Sequence, residues 1–315
     1  MLAVKTLNNN LTTYKRTLRL MGDKFEISVV GNDPLLADEQ IEIAVDEINR
    51  VEKLLSAFSD DSNINQINRN AGIAPVKADG EIFRLIGRAL QISELTHGTF
   101  DITYLVDNNA YNNDNTFAGN QAVKTAPYSV VLANYQNVVL DAATQTVFLK
   151  EKGMRIGFGA NSRGYAADRA KYLLQMNGVS SGVINAGGDL LTWGTQPDFE
   201  PWTVAAADPE QRNQPFADLD ISNLAFATSV NTEKFASIGN RALKGNIHAK
   251  KGFPVSEIKS VSIVSPTAEL ADAMATPVIN IGVNGGMYLI NQLNQIACII
   301  IDDQNRVYTS KDISI

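Results

Sequence analysis

The chain has 315 residues, of which 44% are hydrophobic and 19% charged, so it can bury a sizeable core and is too apolar for intrinsic disorder. Its formal net charge of −7 argues against nonspecific nucleic-acid binding, which needs a basic face. No stretch reaches the ~18 uninterrupted apolar residues of a membrane span, and the opening Met1-Leu2-Ala3-Val4-Lys5-Thr6-Leu7 lacks both a signal-peptide core and a lipobox cysteine.

In chain order, Phe25, Ile27 and Val29 alternate with polar residues and predict a half-buried strand, while Ala44, Ile48, Val51 and Leu55 follow the spacing of a helix stripe. The polar run Asp107 to Thr125 and the run Gln196 to Gln214, with four prolines in and beside it, read as surface excursions within one domain. Val138 to Leu140 and Val147 to Leu149 predict a hairpin across Ala142-Ala143-Thr144-Gln145. Ile299 to Ile301 and Arg306 to Tyr308 predict another across Asp302-Asp303-Gln304-Asn305. The only cysteine, Cys298, lies in the apolar run Ile296 to Ile301 and reads as a buried core residue, which leaves no disulfide, cysteine metal site or redox pair.

Three stretches carry chemistry. Gly157-Phe158-Gly159-Ala160-Asn161-Ser162-Arg163-Gly164 feeds the amphipathic run Tyr165 to Met176, so it predicts a helix N-terminus with free N–H groups and a positive partial charge, suited to a phosphate. Gly182-Val183-Ile184 predicts a short buried strand ending in Asn185-Ala186-Gly187-Gly188-Asp189. There the glycines admit close ligand approach and Asp189 can accept hydrogen bonds. Neither turn has the P-loop ending or the Rossmann glycine spacing, and each also fits an ordinary tight connection. In the third stretch, Ser265 to Thr276, Ser265 or Thr267 can cap a helix, Pro266 suits its start and Glu269 favours its positive end. Asp272 and Thr276, four apart, then share one face. A carboxylate and a hydroxyl there can hold a hard cation such as Mg2+, although capping and a solvated face would also account for them.

Taken in order, Met21-Gly22, Phe100-Asp101, Gly164-Tyr165-Ala166-Ala167-Asp168, Asn185-Ala186-Gly187-Gly188-Asp189, Ala227-Thr228-Ser229, Gly252-Phe253-Pro254 and Ala271-Asp272-Ala273-Met274-Ala275-Thr276 resemble the FAD:protein FMN transferases, the ApbE family. The resemblance runs from about Tyr14 to the C-terminus and implies an N-terminal extension (residues 1–13) followed by one catalytic domain (14–315). It implies an α+β fold, two-lobed and single-domain, with mixed, largely antiparallel sheets, flanking helices and the ligand between lobes. The implied reaction splits FAD with Mg2+, releases AMP and attaches FMN through its phosphate to a Thr or Ser hydroxyl of an acceptor protein. The implied location is the periplasm or cell envelope. Carried over by position, the flavin-nucleotide contacts are Met21, Phe58, Thr99, Phe100, Asp101, Gly157, Arg163, Gly164, Asn185, Gly187, Gly188, Asp189, Ser229 and Ile247. The implied metal set is Asp272, Thr276 and the Ala160 carbonyl.

Several positions depart from the family's pattern. Gly157 stands where many members carry Asp, Asn161-Ser162 replace a small apolar pair, and Arg163 replaces a residue that is most often Lys. Gly245 falls on the family's histidine, which makes His248 the candidate proton acceptor. His97 and the pair Lys250-Lys251 lie outside the matched positions and read as turn residues. Two alternative activities follow from these departures, an FAD-binding relative without transfer and an FAD hydrolase giving FMN and AMP.

Overall fold

The computed structural model describes residues 11–56, 62–105, 133–159, 161–207, 215–230, 237–238, 241–242 and 257–311. Phe58, Ala160, Gly245, Ile247, His248, Lys250, Lys251, Gly252-Phe253-Pro254 and the run Asp107 to Thr125 lie outside the described residues. The chain divides into two compact units, unit 1 made of residues 1–52 and 160–315, and unit 2 made of residues 53–159.

Unit 1 opens with the antiparallel hairpin β1 (Thr12–Leu20) and β2 (Asp23–Gly31), in register from Leu20 opposite Asp23 to Thr12 opposite Gly31. The two residues between them, Met21 (φ 52°) and Gly22 (φ 78°), both have positive φ, the tight-turn geometry that matches strand twist. On β2 Phe25, Ile27 and Val29 are fully buried, as their alternation predicts. Helix α1 (Pro34–Leu55) follows, with Asp33 accepting from the N–H groups of Leu35 and Leu36, and it buries Ala44, Ile48, Val51 and Leu55.

Unit 2 contains α2 (Asn63–Arg69), β3 (Val76–Lys77), α3 (Gly80–Leu95), β4 (Thr103–Leu105), β5 (Val138–Asp141), β6 (Thr146–Leu149) and β7 (Met154–Ile156). Its sheets have the orders β3-β6-β5 and β4-β7, all antiparallel, and the β5–β6 hairpin closes at Asp141 opposite Thr146. Ser62 caps α2 and Asp79 caps α3, each accepting a first-turn N–H. Ile64, Ile67, Ile82, Leu85, Ile86, Met154 and Ile156 are buried, each apolar side chain stabilising by about 1.5–3 kcal/mol on transfer from water.

The chain then completes unit 1 with α4 (Asn161–Met176), β8 (Gly182–Ala186), β9 (Asp189–Trp193), β10 (Thr203–Ala207), β11 (Pro215–Asp220), β12 (Ala225–Val230), β13 (Ser237–Ile238), β14 (Arg241–Ala242), β15 (Ile258–Ser265), α5 (Ala268–Ile281), α6 (Val283–Asn291), β16 (Ala297–Asp302) and β17 (Val307–Thr309). Its main sheet has eight strands in the order β1-β2-β8-β9-β12-β15-β16-β17, every neighbour antiparallel. All six residues of β16, Cys298 among them, are buried. The architecture is α+β with antiparallel sheets, as the motif resemblance implies.

Some local expectations change. Thr203–Ala207, inside the run read as a surface excursion, is a strand paired with Pro215–Asp220. Its partner lies beyond the polar stretch, so no local alternation announces the ribbon. Helix α4 starts at Asn161, ahead of the amphipathic run, because its first turn is fixed by packing. Thr267 caps α5, accepting from Leu270 N–H, whereas Ser265 donates to the Thr267 carbonyl and Pro266 stands before the cap.

Candidate functional site

In the main sheet of unit 1, the β1–β2 turn and the β8–β9 turn fall at the same end, because β2 and β8 are antiparallel and pair Phe25 with Ala186. The β8–β9 turn consists of Gly187 (φ 72°) and Gly188 (φ 114°), between Ala186 and its partner Asp189. Asn185 ties this turn down by accepting the Gly188 N–H at 2.8 Å, and the Gly187 N–H donates to the Lys24 carbonyl at 2.9 Å. A Cβ on Gly187 would stand 2.8 Å from Asp23 Oδ2. Glycine suits this position for its positive φ, and its bare Cα lets the Asp23 carboxylate lie close.

Asp23, the first residue of β2, faces the guanidinium of Arg163 on the first turn of α4, with Oδ2 3.8 Å from Nη1. Asp189 Oδ1 accepts the Thr228 N–H from β12 at 3.2 Å. Burial pushes the Asp189 carboxyl up to about 6, and the Asp272 charge adds to that shift while the Thr228 N–H and Arg163 oppose it. Burial also raises Asp272 above the usual carboxylate range, with Arg163 pulling the other way. Among the described residues Asp272 Oδ2 is buried with no hydrogen-bond partner, and Arg163 Nε is in the same condition. One turn further along α5, the exposed Thr276 places Oγ1 3.5 Å from Ser229 Oγ on β12.

These contacts gather Arg163, Asn185, Gly187, Gly188, Asp189, Ser229, Asp272 and Thr276, and Met21 sits in the turn that leads to Asp23. Asp189 interacts with two other carboxylates, Asp23 and Asp272, and with a single guanidinium, Arg163. A cation at Asp272 would relieve that imbalance and satisfy its buried oxygen. Carboxylate and hydroxyl oxygens on one helix face suit Mg2+, which keeps several positions for water and phosphate. Among the described residues no group of three or more His, Cys, Asp or Glu side chains is placed to hold a metal, so a cation here would depend on this sparse oxygen set.

Gly164 also packs one helix on another. It is buried, and a Cβ on it would lie 2.6 Å from the Ala268 carbonyl oxygen at the start of α5. Asp23 carries no signal in the sequence, while Thr228 and Asp168 stand in the motifs without a role and Asn161 stands out as a departure. Asn161, 5% exposed, has neither amide atom hydrogen-bonded among the described residues. Its polar side chain at a position that the family fills with an apolar one was the available signal.

The expected contacts Thr99, Phe100, Asp101 and Gly157 belong to unit 2. There the Phe100 N–H donates to Thr96 Oγ1 at 3.0 Å and the Thr99 N–H to the Thr96 carbonyl. Asp101 accepts from Thr103 N–H (2.8 Å), Thr103 O–H (2.7 Å) and Tyr135 N–H (3.0 Å). The Gly157 N–H donates to the Ile102 carbonyl, and a Cβ on Gly157 would lie 3.3 Å from the Tyr104 ring. His97 is exposed at φ 52°, and the bonds Gly98 N–H to Ser93 and His97 N–H to Glu94 make it the left-handed residue of a helix-ending Schellman turn.

Comparison with known proteins agrees with this fold. The sequence profile of the ApbE family matches residues 21–300. A protein of Klebsiella pneumoniae (strain 342) named FAD:protein FMN transferase is 26% identical over 307 residues, covering 94% of this chain and 92% of its own. One of the same name from Treponema pallidum (strain Nichols) is 25% identical over 319 residues, covering 95% and 87%. Among solved structures, the ApbE protein of Thermotoga maritima superposes with a TM-score of 0.74 at 21% identity over 95% of this chain and 97% of its own. The flavin transferase ApbE of Vibrio cholerae does so with a TM-score of 0.73 at 18% identity, covering 96% and 98%.

Proposed function

The chain belongs to the ApbE family, and from that premise we propose that it is an FAD:protein FMN transferase that moves FMN from FAD to a Thr or Ser hydroxyl of a partner protein. The observation that carries the reading is Asp272 Oδ2, buried and unpartnered among the described residues, which shares its surroundings with Arg163 and Asp189 at the Gly187-Gly188 turn. An oxygen kept dry and unbonded costs about 1–3 kcal/mol or more, and the fold keeps it.

In the reaction, the acceptor hydroxyl oxygen bonds to the flavin-side phosphorus of FAD while the pyrophosphate P–O bond on that phosphorus breaks. AMP leaves with the bridging oxygen and the hydroxyl proton passes to a base. Arg163 meets the negative charge of the pyrophosphate, and the glycines of the Asn185 to Asp189 turn carry no side chain to keep it from the backbone. Asp272 and Thr276 would hold Mg2+, joined on family kinship by the Ala160 carbonyl, and the bound ion would supply charge neutralisation at the phosphates. Asp189, tied to Thr228, braces the β12 end that carries Ser229. His248 is the proposed proton acceptor in place of the family's histidine, where this chain has Gly245. Residues 14–315 are taken as the catalytic body, acting in the periplasm or cell envelope on family kinship.

Incubating the full chain with FAD, Mg2+ and a candidate acceptor tests the reading, with intact mass of the acceptor and nucleotide analysis as readouts. AMP together with an acceptor heavier by FMN supports transfer. AMP with free FMN means hydrolysis, and unchanged FAD that stays bound means a binding protein.

A further inference from the structure

Helices α4 and α5 meet at one spot, and the residues there do more than pack. The start of α5 leaves four N–H groups without helical partners, as every helix start does. Here the first three helical N–H groups all meet side-chain oxygens, and the next begins the helical ladder. Ala268 N–H and Glu269 N–H donate to the two oxygens of Asp168, each at 2.9 Å. Leu270 N–H donates to Thr267 Oγ1 at 3.3 Å, and Ala271 N–H to the Thr267 carbonyl at 3.1 Å. The anion at the positive end of α5 is thus an internal carboxylate, delivered by another helix. Gly164, one turn before Asp168 on α4, lets the two backbones touch, since a Cβ there would stand 2.6 Å from the Ala268 carbonyl oxygen and 2.9 Å from Glu269 N. One turn of α4 therefore carries Arg163, the contact glycine and the tether. One turn beyond the tethered N–H groups, α5 carries Asp272, the carboxylate whose Oδ2 is unpartnered.

We propose that Asp168 is a positioning residue: by clamping the first turn of α5 to α4, it sets the depth and rotation at which Asp272 and Thr276 are presented beside Arg163. The proposal rests on the reading of Asp272 as a cation ligand. A carboxylate gripping two consecutive N–H groups fixes a helix in both rotation and translation, which apolar packing alone does weakly. Groups that orient a metal ligand without touching the metal are worth 10- to 100-fold in metal affinity.

The test uses the full chain, with Mn2+ as the probe, followed by its EPR signal, alongside FMN transfer and thermal melting. Asp168→Ala is expected to raise the Mn2+ dissociation constant 10- to 100-fold and to lower transfer in parallel, with FAD affinity in the absence of metal within about twofold of wild type. Asp168→Asn keeps one acceptor oxygen and should fall between. Gly164→Ala, which pushes α5 away without touching the carboxylate, should show the same loss of Mn2+ affinity. Leu174→Ala, a buried deletion on the same helix, should lower the melting temperature with Mn2+ affinity unchanged. Should Asp168→Ala fail to fold, Asp168→Asn and Gly164→Ala decide. Wild-type Mn2+ affinity in both of these overturns the proposal, as does an equal loss of affinity in Leu174→Ala. A wild-type chain that neither binds Mn2+ nor transfers FMN overturns the proposed function and this inference with it.

Discussion

Asp101 in unit 2 and Asp272 in unit 1 spend their oxygens in opposite ways. Asp101 accepts from three donors in its own unit, two on Thr103 and one on Tyr135, and so pins a loop to the start of β4. Asp272 leaves Oδ2 buried and unbonded, and its carboxyl is pushed up by burial. A carboxylate satisfied by its neighbours acts as a fastener. One held dry and unpaired costs stability, so its retention points to a partner that arrives from outside.

Asp272→Ala should show the largest effect. Mg2+-dependent AMP release from FAD is expected to fall by roughly a thousandfold, the several kcal/mol that a metal contributes to charge stabilisation, while the melting temperature holds or rises. A variant that melts several degrees lower would make Asp272 a fastener like Asp101 and end the contrast. Asp101→Ala should reverse the pattern. Losing three hydrogen bonds at about 1 kcal/mol each costs roughly 3 kcal/mol, read as a lower denaturant midpoint, with the response of unit 1 to Mn2+ unchanged.

Asn161 sharpens the comparison, because it too keeps buried polar atoms unbonded. Asn161→Leu removes both, so the ligand-free protein should gain about 1–3 kcal/mol while FAD affinity drops. A lower melting temperature with unchanged affinity would show that the amide serves the fold.

The smallest expected effect is a pH dependence at Asp168, a fully engaged carboxylate that burial still pushes to about 6, against the N–H groups of Glu269 and Ala268, with the Glu269 charge raising it and Lys171 lowering it. The folded value lies above the ordinary 3.8, so this group's contribution is fully present below pH 3.8 and is lost as pH rises through about 6. Asp168→Asn, neutral throughout, lacks this titration, so its stability relative to wild type should rise from pH 4 to 7 by at most about 3 kcal/mol, on top of a pH-independent loss from the missing acceptor oxygen. Denaturant melts of both proteins across that range check it, and parallel curves would show that the carboxylate titrates normally.

Much of the fold was legible because it depends on short-range patterns. Alternation at Phe25, Ile27 and Val29, the stripe from Ala44 to Leu55 and the hairpins around 142–145 and 302–305 each follow from burying one face of one element. The β10–β11 ribbon was not legible, since its pairing joins segments across a polar stretch. At the site, Asp272 and Thr276 could be read from helical spacing alone, and the glycine turns from their composition. Asp23 could not, because its role exists only once β2 lies against β8 and brings it over Gly187.

Several helices and strands, the faces they bury and the residue types ready for phosphate and cation chemistry follow from sequence, because propensity, capping and periodicity act within a few residues. Tertiary structure alone decided which oxygens are already taken. That Asp101 and Asp168 are engaged while Asp272 and Asn161 are left with bare buried atoms depends on partners tens of residues away. A hydrogen bond closes over about 3 Å of space whatever the distance along the chain.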